Sequence, residues 1–286
     1  MSTPRRFVGF DRIVARHTLS ARLVAKTAFR IGAGRSLDAV TTDLPVVRSG
    51  DDRLVVPGSS LKGVFRSAAE GLLASIGPRD GQDLACDLFA DPCWKGTDEE
   101  ERAWKREVDR LPVGERIRAN RECLQSRLCQ ACATFGAPGL SAVIRFADAL
   151  VEGARVSVRD GVGMSRDLGR AQDGLKYDFE VVEPGASIPL EIRFENAADW
   201  QVGLVLAVLD MIHEGEVRIG GFGSRGLGWF VKVEEPTVFR RGLQELLKRD
   251  EEKPKPMNLD VFRDALFIGL TEDRPLPVGP RPLEAR

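Results

Sequence analysis

Apolar residues fall on alternate positions from 13 to 23. Ile13, Ala15, Leu19, Ala21 and Leu23 share one parity, while Arg16, Thr18 and Arg22 hold the other. Period two predicts a strand, with His17 on its apolar parity as a half-buried residue rather than a catalyst. Farther on, Leu61, Val64, Phe65, Ala68, Leu72 and Leu73 recur at helical spacing until Gly77-Pro78 stops them. Pro57-Gly58 turns the chain sharply just before, and the hydroxyl of Ser59 or Ser60 is expected to cap this helix. Residues 142–147 read as a strand and residues 155–160 alternate, followed by a glycine-rich polar loop at 161–174. Residues 177–182 and 188–194 are expected to pair around the Pro184-Gly185 turn. A long loop between extended arms predicts a projecting hairpin. Residues 200–212 are apolar enough for a buried helix, with His213 closing it against the helix dipole. Residues 229–233 form another predicted strand. Beyond Pro236 a short amphipathic helix, a charged linker (249–256) and a Pro-rich tail are expected to be peripheral.

Composition narrows this picture. The 286 residues are 43% hydrophobic, enough for a substantial core, and only 7% aromatic, which argues against aromatic base-stacking as the main device. The net charge of −1 excludes gross electrostatic attraction to nucleic acid but not a local basic stripe. No apolar run is long enough to span a bilayer, and Met1-Ser2-Thr3-Pro4-Arg5-Arg6 has no apolar h-region, so a cytoplasmic protein without membrane partners is expected.

Three stretches carry candidate chemistry. The first runs from Ile31-Gly32 through a loop with Asp38 and Asp43 to Pro57-Gly58-Ser59-Ser60-Leu61-Lys62-Gly63-Val64-Phe65-Arg66. Free N–H groups and the positive dipole end at a helix start make a natural phosphate site. Lys62 and Arg66, four residues apart, lie on one face behind it. A carboxylate such as Asp43 beside a phosphate site needs a cation or chemistry to explain it; an ordinary capped helix after a long loop is the plainer reading. The second stretch, about 79–138, breaks the periodic pattern and includes the acidic run Asp98-Glu99-Glu100-Glu101, which reads as a solvated insertion. All five cysteines fall inside it: Cys86, Cys93, Cys123, Cys129 and Cys132. Cys129-x-x-Cys132 is a metal knuckle. With Cys123 and one or both of Cys86 and Cys93 it supplies four thiolates for a structural Zn²⁺, against buried or redox cysteines as the alternative. The third stretch, Gly220-Gly221-Phe222-Gly223-Ser224-Arg225-Gly226-Leu227-Gly228, spells G-x-G-x-x-G. It lacks the preceding strand and following helix of a dinucleotide site. Glycines at this density instead let a backbone approach a ligand chain, with Arg225 as the single cation.

Together, Ile31-Gly32, Asp43-x-Pro45-Val46, Pro57–Gly63 with Arg66, Cys129-x-x-Cys132-x-x-Phe135-Gly136 and the glycine-rich loop resemble the RAMP superfamily. The resemblance covers about residues 10–235 and is strongest to the backbone subunits of type III CRISPR effector complexes. It implies an α+β fold with a modified ferredoxin-like (RRM-like) core and an antiparallel sheet. It further implies a zinc-binding insertion at about 79–138 and a thumb hairpin at about 155–185, leaving 236–286 as an appended helix, linker and tail. Partners implied are CRISPR RNA, target RNA, further copies of the chain and other RAMP subunits. The loop with Met164 and Arg166 matches the thumb. Ser59, Ser60, Lys62, Arg66, Gly221, Gly223, Ser224 and Arg225 match elements that hold guide backbone. In target-cleaving members an aspartate in the loop after the first strand cleaves target RNA with a divalent metal, Mg²⁺ or Mn²⁺; the D-x-P-V context carries this role to Asp43 rather than Asp38.

The leading reading is therefore an RNA-guided endoribonuclease subunit. A non-catalytic RNA-binding backbone, in which Asp43 is only a loop carboxylate, is its rival. A guide-processing nuclease with a histidine base fits poorly, since the two histidines, His17 and His213, fall on a predicted strand and helix end.

Overall fold

In a computed structural model describing residues 13–36, 42–79, 83–138, 140–167, 169–247, 254–272 and 276, the alternating stretch forms strand β1, Ala15–Ala25. Ala15, His17, Leu19, Leu23 and Ala25 are buried, while Arg16 and Arg22 face solvent. The short strand β2, Val55–Val56, leads into helix α1, Gly58–Ile76. Leu61, Phe65, Ala69 and Leu73 are fully buried and step by four, so α1 presents one apolar stripe. The insertion is more ordered than its composition suggests. It holds α2, Asp98–Val108, then α3, Val113–Arg127, then the short α4, Gln130–Phe135.

After it come β3, Ile144–Phe146, and β4, Ala149–Leu150, which pairs with β2. Next are β5, Val156–Met164, β6, Ala171–Val182, β7, Ser187–Glu195, and α5, Asp199–Glu214. The chain continues through β8, Phe230–Lys232, β9, Thr237–Gly242, α6, Leu243–Leu247, and α7, Asp260–Thr271. The main sheet runs β3-β7-β1-β8 with every pair antiparallel. With α1 following β1 and α5 following β7, this is the βαββαβ order of a ferredoxin-like core in an α+β fold. Helices α1 and α5 cover one face of the sheet.

Several expectations need correction. Residues 177–182 do not pair with 188–194: β6 pairs with β5, and β7 pairs with β1 and β3. The glycine-rich stretch at 161–174 is largely strand, because the β5–β6 ladder continues to Met164↔Ala171 with one register shift. The projecting hairpin is thus a long two-stranded ribbon. After Pro236, the described residues 237–247 and 254–272 are not peripheral, while most of the charged linker and the Pro-rich tail lies outside the described residues. Strand β9 pairs with β1 over Ala15–Ser20, beside β8 at Leu23–Ala25, and α7 packs on α5 with Phe262 fully buried. His213 lies in the last turn of α5, and its Nδ1 accepts the Lys232 N–H at 3.0 Å. Neither Ser59 nor Ser60 caps α1, whose N-cap is Pro57 with no side-chain cap. Among the described residues no helix is long and apolar enough to cross a membrane.

His17 is fully buried rather than half-buried, edge-on to Phe194 and Phe262 at centroid distances of 6.5 and 5.8 Å. Neither ring nitrogen has a hydrogen-bond partner among the described residues. Burial, reinforced by the Arg240 charge, lowers its pKa from 6.5 to about 4. The unfolded chain therefore takes up this proton below pH 6.5 while the folded chain resists until about pH 4. Stability is lost as pH falls through that window. Chemical denaturation of His17→Leu should lose about 3 kcal/mol less between these pH values than the unsubstituted chain. Parallel pH profiles would contradict the burial argument.

Candidate nucleic-acid cleft and metal centre

The Asp43 loop is fastened on two sides. Against its own start, Ser36 N–H donates to Asp43 O at 2.9 Å, Ala33 N–H to Pro45 O at 3.0 Å, and Val47 N–H to Ile31 O at 2.8 Å. Against β6, Asp43 N–H donates to Asp178 Oδ1 at 2.6 Å and Asp178 N–H to Asp43 Oδ2 at 3.2 Å. Glu180 N–H then donates to Leu44 O at 3.1 Å, and Val46 N–H to Glu180 Oε2 at 3.0 Å. Asp38 lies outside the described residues.

The glycine-rich loop closes on the same place. Gly220 has φ +96°, and a Cβ there would sit 2.3 Å from Arg30 O, so no other residue fits without displacing that carbonyl. Gly221 N–H donates to Arg30 O at 2.9 Å. Phe222, at φ 61°, packs edge-on to Phe179 with centroids 5.0 Å apart, and the Arg225 guanidinium lies 4.5 Å above its ring. Arg225 Nη1 donates to the Tyr177 hydroxyl at 2.8 Å. Between the loop, the hairpin and the Asp43 segment lies an open cleft of about 540 Å³. Arg35, Asp43 and Leu44 form one wall, Val162, Leu175, Lys176 and Tyr177 another, and Phe222 with Arg225 the third.

Of the expected RNA-binding residues, only Arg225 joins Asp43 in this lining. Gly221 and Ser224 are exposed on the loop beside it and Gly223 is half-buried. Met164, 60% exposed, and Arg166 stand toward the hairpin turn. Ser59, Ser60, Lys62 and Arg66 lie on α1, outside the cleft lining. The start of α1 already has its anion. Gly58 N–H donates to Asp148 Oδ1 at 2.7 Å, and a Cβ on Gly58 would meet Phe146 O at 2.5 Å. Lys62 is half-buried, its pKa lowered by desolvation and then by Arg66, and it makes no ion pair or hydrogen bond among the described residues.

Sequence reasoning missed Arg30, Arg35, Asp178, Tyr177 and Phe222. Low aromatic content hid the ring cluster, although the chain's one tyrosine is in it.

In the insertion, Cys86, Cys93, Cys129 and Cys132 place their Sγ atoms within 4.8 Å of one another. Cys86 and Cys132 sulfurs are 3.7 Å apart. A tetrahedron with Zn–S bonds of about 2.3 Å has S···S edges of about 3.8 Å, so the four thiols fit such an ion. Cys123, on α3, is not in this group; the candidate five reduce to four. Backbone N–H groups of Cys129 and Cys132 donate to the sulfurs of Cys93 and Cys129 at 3.3 and 3.4 Å. The hydrogen bonds from Cys132 and Cys93 hold Cys129 far below the usual thiol range. Cys93, bonded to that sulfur, is pushed up to about 12, and Cys132 is pushed up for the same reason. Only a bound cation would let all four ionise together at this spacing. Four cysteine ligands leave no open position, so a zinc here is structural. Arg66 serves this centre: its guanidinium donates to Cys132 Sγ at 3.4 Å, Gly136 O at 3.1 Å and Glu70 Oε1 at 2.7 Å.

A family model described as the RAMP superfamily matches residues 22–231, most of the chain. The chain belongs to the RAMP superfamily. No curated protein matches it. RAMP membership points to CRISPR-associated RNA binding and complex assembly. The matched span contains the Asp43 segment, the four-cysteine centre, the hairpin and the glycine-rich loop; β9 and α7 lie beyond it.

Elemental analysis of protein purified under reducing conditions should find stoichiometric zinc, lost in the Cys129→Ser/Cys132→Ser double variant and retained in Cys123→Ser. Arg66→Met should hold zinc but release it to a chelator about tenfold or more faster, the scale on which outer partners of metal ligands act. Zinc loss in Cys123→Ser would restore the fifth cysteine to the ligand set.

Proposed function

We propose that this RAMP protein is a CRISPR RNA-binding backbone subunit of a type III interference complex and cleaves guide-complementary target RNA. The observation that carries the reading is the meeting of Asp43, Arg225 and the hairpin around one open cleft. RAMP members include active ribonucleases, which supports a catalytic reading of a carboxylate placed there. The hairpin carries exposed Val162, Met164 and Leu175, apolar groups of the kind that wedge between bases and unstack them. A nucleotide splayed into the cleft could lie against Phe222 or Tyr177, with its 3′ phosphate near Arg225 and Arg35.

Cleavage then needs no protein nucleophile. The ribose 2′-OH attacks the adjacent phosphorus, the 5′ oxygen of the next nucleotide leaves and takes a proton from water, and the products are a 2′,3′-cyclic phosphate and a 5′-OH. Asp43 accepts the 2′-OH proton or orients a hydrated cation, and the arginines offset charge developing on phosphate oxygens. Mg²⁺ and Mn²⁺ suit one or two carboxylates plus substrate phosphate, and Asp43 would supply one; such an ion would acidify the attacking hydroxyl. The 2′-OH requirement makes the chemistry specific to RNA. Lys62, Arg166 and Arg225 are assigned to guide phosphates, with Ser59, Ser60, Met164, Gly221, Gly223 and Ser224 beside the strand. Arg66 is withdrawn from this set because its donors are committed to the cysteine centre. Other RAMP subunits and further copies of the chain complete the complex, in the cytoplasm.

A second reading has its own observation. Asp43 Oδ2 already accepts a backbone N–H, as a purely structural loop carboxylate does. In that case the chain is a non-catalytic RNA-binding backbone.

In assembled complexes Asp43→Ala should lower cleavage of guide-matched RNA by about 10²–10⁴-fold, while filter binding of guide and target is unchanged. Full cleavage by this variant sinks the catalytic reading. Loss only in step with RNA binding makes Asp43 structural. Neutralising Lys62 or Arg225 singly should weaken unrelated RNA sequences alike and flatten the log K against log salt slope by about 0.7–0.9 each. A change in sequence preference would argue against phosphate contacts.

A further inference from the structure

Asp178 belongs to the hairpin strand β6, not to the loop that carries Asp43, yet the two residues hold each other by a reciprocal pair of hydrogen bonds. Asp43 N–H donates to Asp178 Oδ1 at 2.6 Å, and Asp178 N–H donates back to Asp43 Oδ2 at 3.2 Å. The arrangement uses one carboxylate oxygen of each aspartate and leaves Asp43 Oδ1 outside the pair. The same registry continues for three residues beyond. Leu44 forms a parallel bridge with Phe179, Glu180 N–H bonds Leu44 O, and Glu180 Oε2 accepts the Val46 N–H. The Asp43 segment is therefore annealed to the base of the hairpin at successive steps.

We infer that Asp178 is a positioning residue for the Asp43 carboxylate and that β6 carries the Asp43 segment with it, so that where the hairpin sits decides where the carboxylate points. The inference rests on the catalytic reading of Asp43 for its consequence, although the coupling itself is a matter of geometry. Two of Asp43's polar groups, its N–H and Oδ2, are fixed by one residue. Truncating the Asp178 side chain removes the acceptor of the Asp43 N–H and leaves the backbone bond to Asp43 Oδ2 without its reciprocal partner. Displacement of a reacting group by about 1 Å is enough to cost a hundredfold in rate. A hairpin bound between bases and a carboxylate beside the attacking hydroxyl then move as one body, and target engagement sets the cleavage geometry directly.

Asparagine and alanine separate positioning from charge. The Asn amide oxygen can still accept the Asp43 N–H, whereas its neutral side chain cannot replace a carboxylate ligand or base. Single-turnover cleavage by assembled complexes should fall about tenfold to a hundredfold in Asp178→Ala, with half-saturating target concentration unchanged. Asp178→Asn should cleave near the unsubstituted rate, with an unaltered Mn²⁺ concentration dependence. Full-rate cleavage by Asp178→Ala overturns the inference, and so does an Asn variant as impaired as the Ala variant. Amide hydrogen exchange on the full chain reads the coupling without cleavage. Exchange at Asp43 should quicken in Asp178→Ala and stay slow in Asp178→Asn; equal protection in all three proteins overturns the coupling. If Asp43→Ala cleaves fully, the catalytic reading fails by itself while the exchange result still judges the positioning.

Discussion

The Arg30 guanidinium ties three separate chain segments together. Arg30 is 6% exposed, and its Nη2 donates to the carbonyls of Leu44 at 3.0 Å and Pro45 at 3.2 Å. Its own carbonyl accepts the Gly221 N–H, and its guanidinium lies 5.3 Å from the Phe222 ring centroid. Burial pulls its pKa down, while Glu180 and Tyr177 work against that shift. A buried charge is costly unless its donors are met; Nη2 is met twice while Nε has no partner among the described residues, and the contacts of Arg30 tie the path of the Asp43 loop to that of the glycine-rich loop. Remove the guanidinium and the Leu44 and Pro45 carbonyls keep only their backbone donors, Glu180 N–H and Ala33 N–H, while the Phe222 ring keeps Arg225 as its one cation. Two of the cleft's three walls, the Asp43 segment and the glycine-rich loop, are joined through this one residue.

A second anchor fixes α1, and with it the insertion. Asp148 holds the first N–H of the helix, while Arg66 in its third turn reaches a cysteine sulfur, a backbone carbonyl and Glu70. The four-cysteine centre is consequently joined to the core, not appended to it. Gln201 on α5 adds a hydrogen bond to Thr134 Oγ1 at 2.8 Å, and Leu84 O accepts the Ala131 N–H at 3.0 Å. A ZnCys₄ unit there would carry two formal negative charges, which the guanidinium would partly offset. Ligand spacing alone cannot reveal such a link, because it joins residues far apart in the chain.

What was legible followed from periodicity. The alternation around Leu19 and the four-residue steps from Leu61 to Leu73 report burial directly, and both elements stand where the pattern puts them. The motif residues Asp43 and Arg225 also meet in one cleft. Errors arose where a non-local partner decides. Glycines at 161, 163, 169 and 174 read as loop, yet the ribbon is long because a cross-strand ladder overrides local propensity; a Cβ on Gly161 would lie 2.3 Å from the Tyr177 ring. Ser59 and Ser60 looked like caps because their chemistry is right, but an aspartate from another segment reached the helix start first. The segment beyond Pro236 read as peripheral since no local signal tells residues 237–242 that they will pair with β1. Cys123 shares a sequence neighbourhood with the knuckle, and only the fold shows that α3 keeps it apart.

Net charge was the weakest guide to the cleft. A total of −1 describes attraction at distances where all charges act together. At physiological ionic strength the field of an exposed charge fades within about 8 Å, so a strand in contact senses only its neighbourhood. Around the cleft that neighbourhood is Arg35, Lys176 and Arg225 against Asp43, while acidic residues such as Glu99, Glu100 and Glu101 sit on α2 of the insertion. Even here the cations are not interchangeable. Lys176 is paired with Asp160 at 3.4 Å, and Arg225 is oriented by Phe222 and Tyr177, which leaves Arg225 pre-organised toward the opening at little entropic cost. A chain of near-zero charge can therefore grip a phosphate backbone, provided its few cations are aimed by aromatic and glycine-built walls.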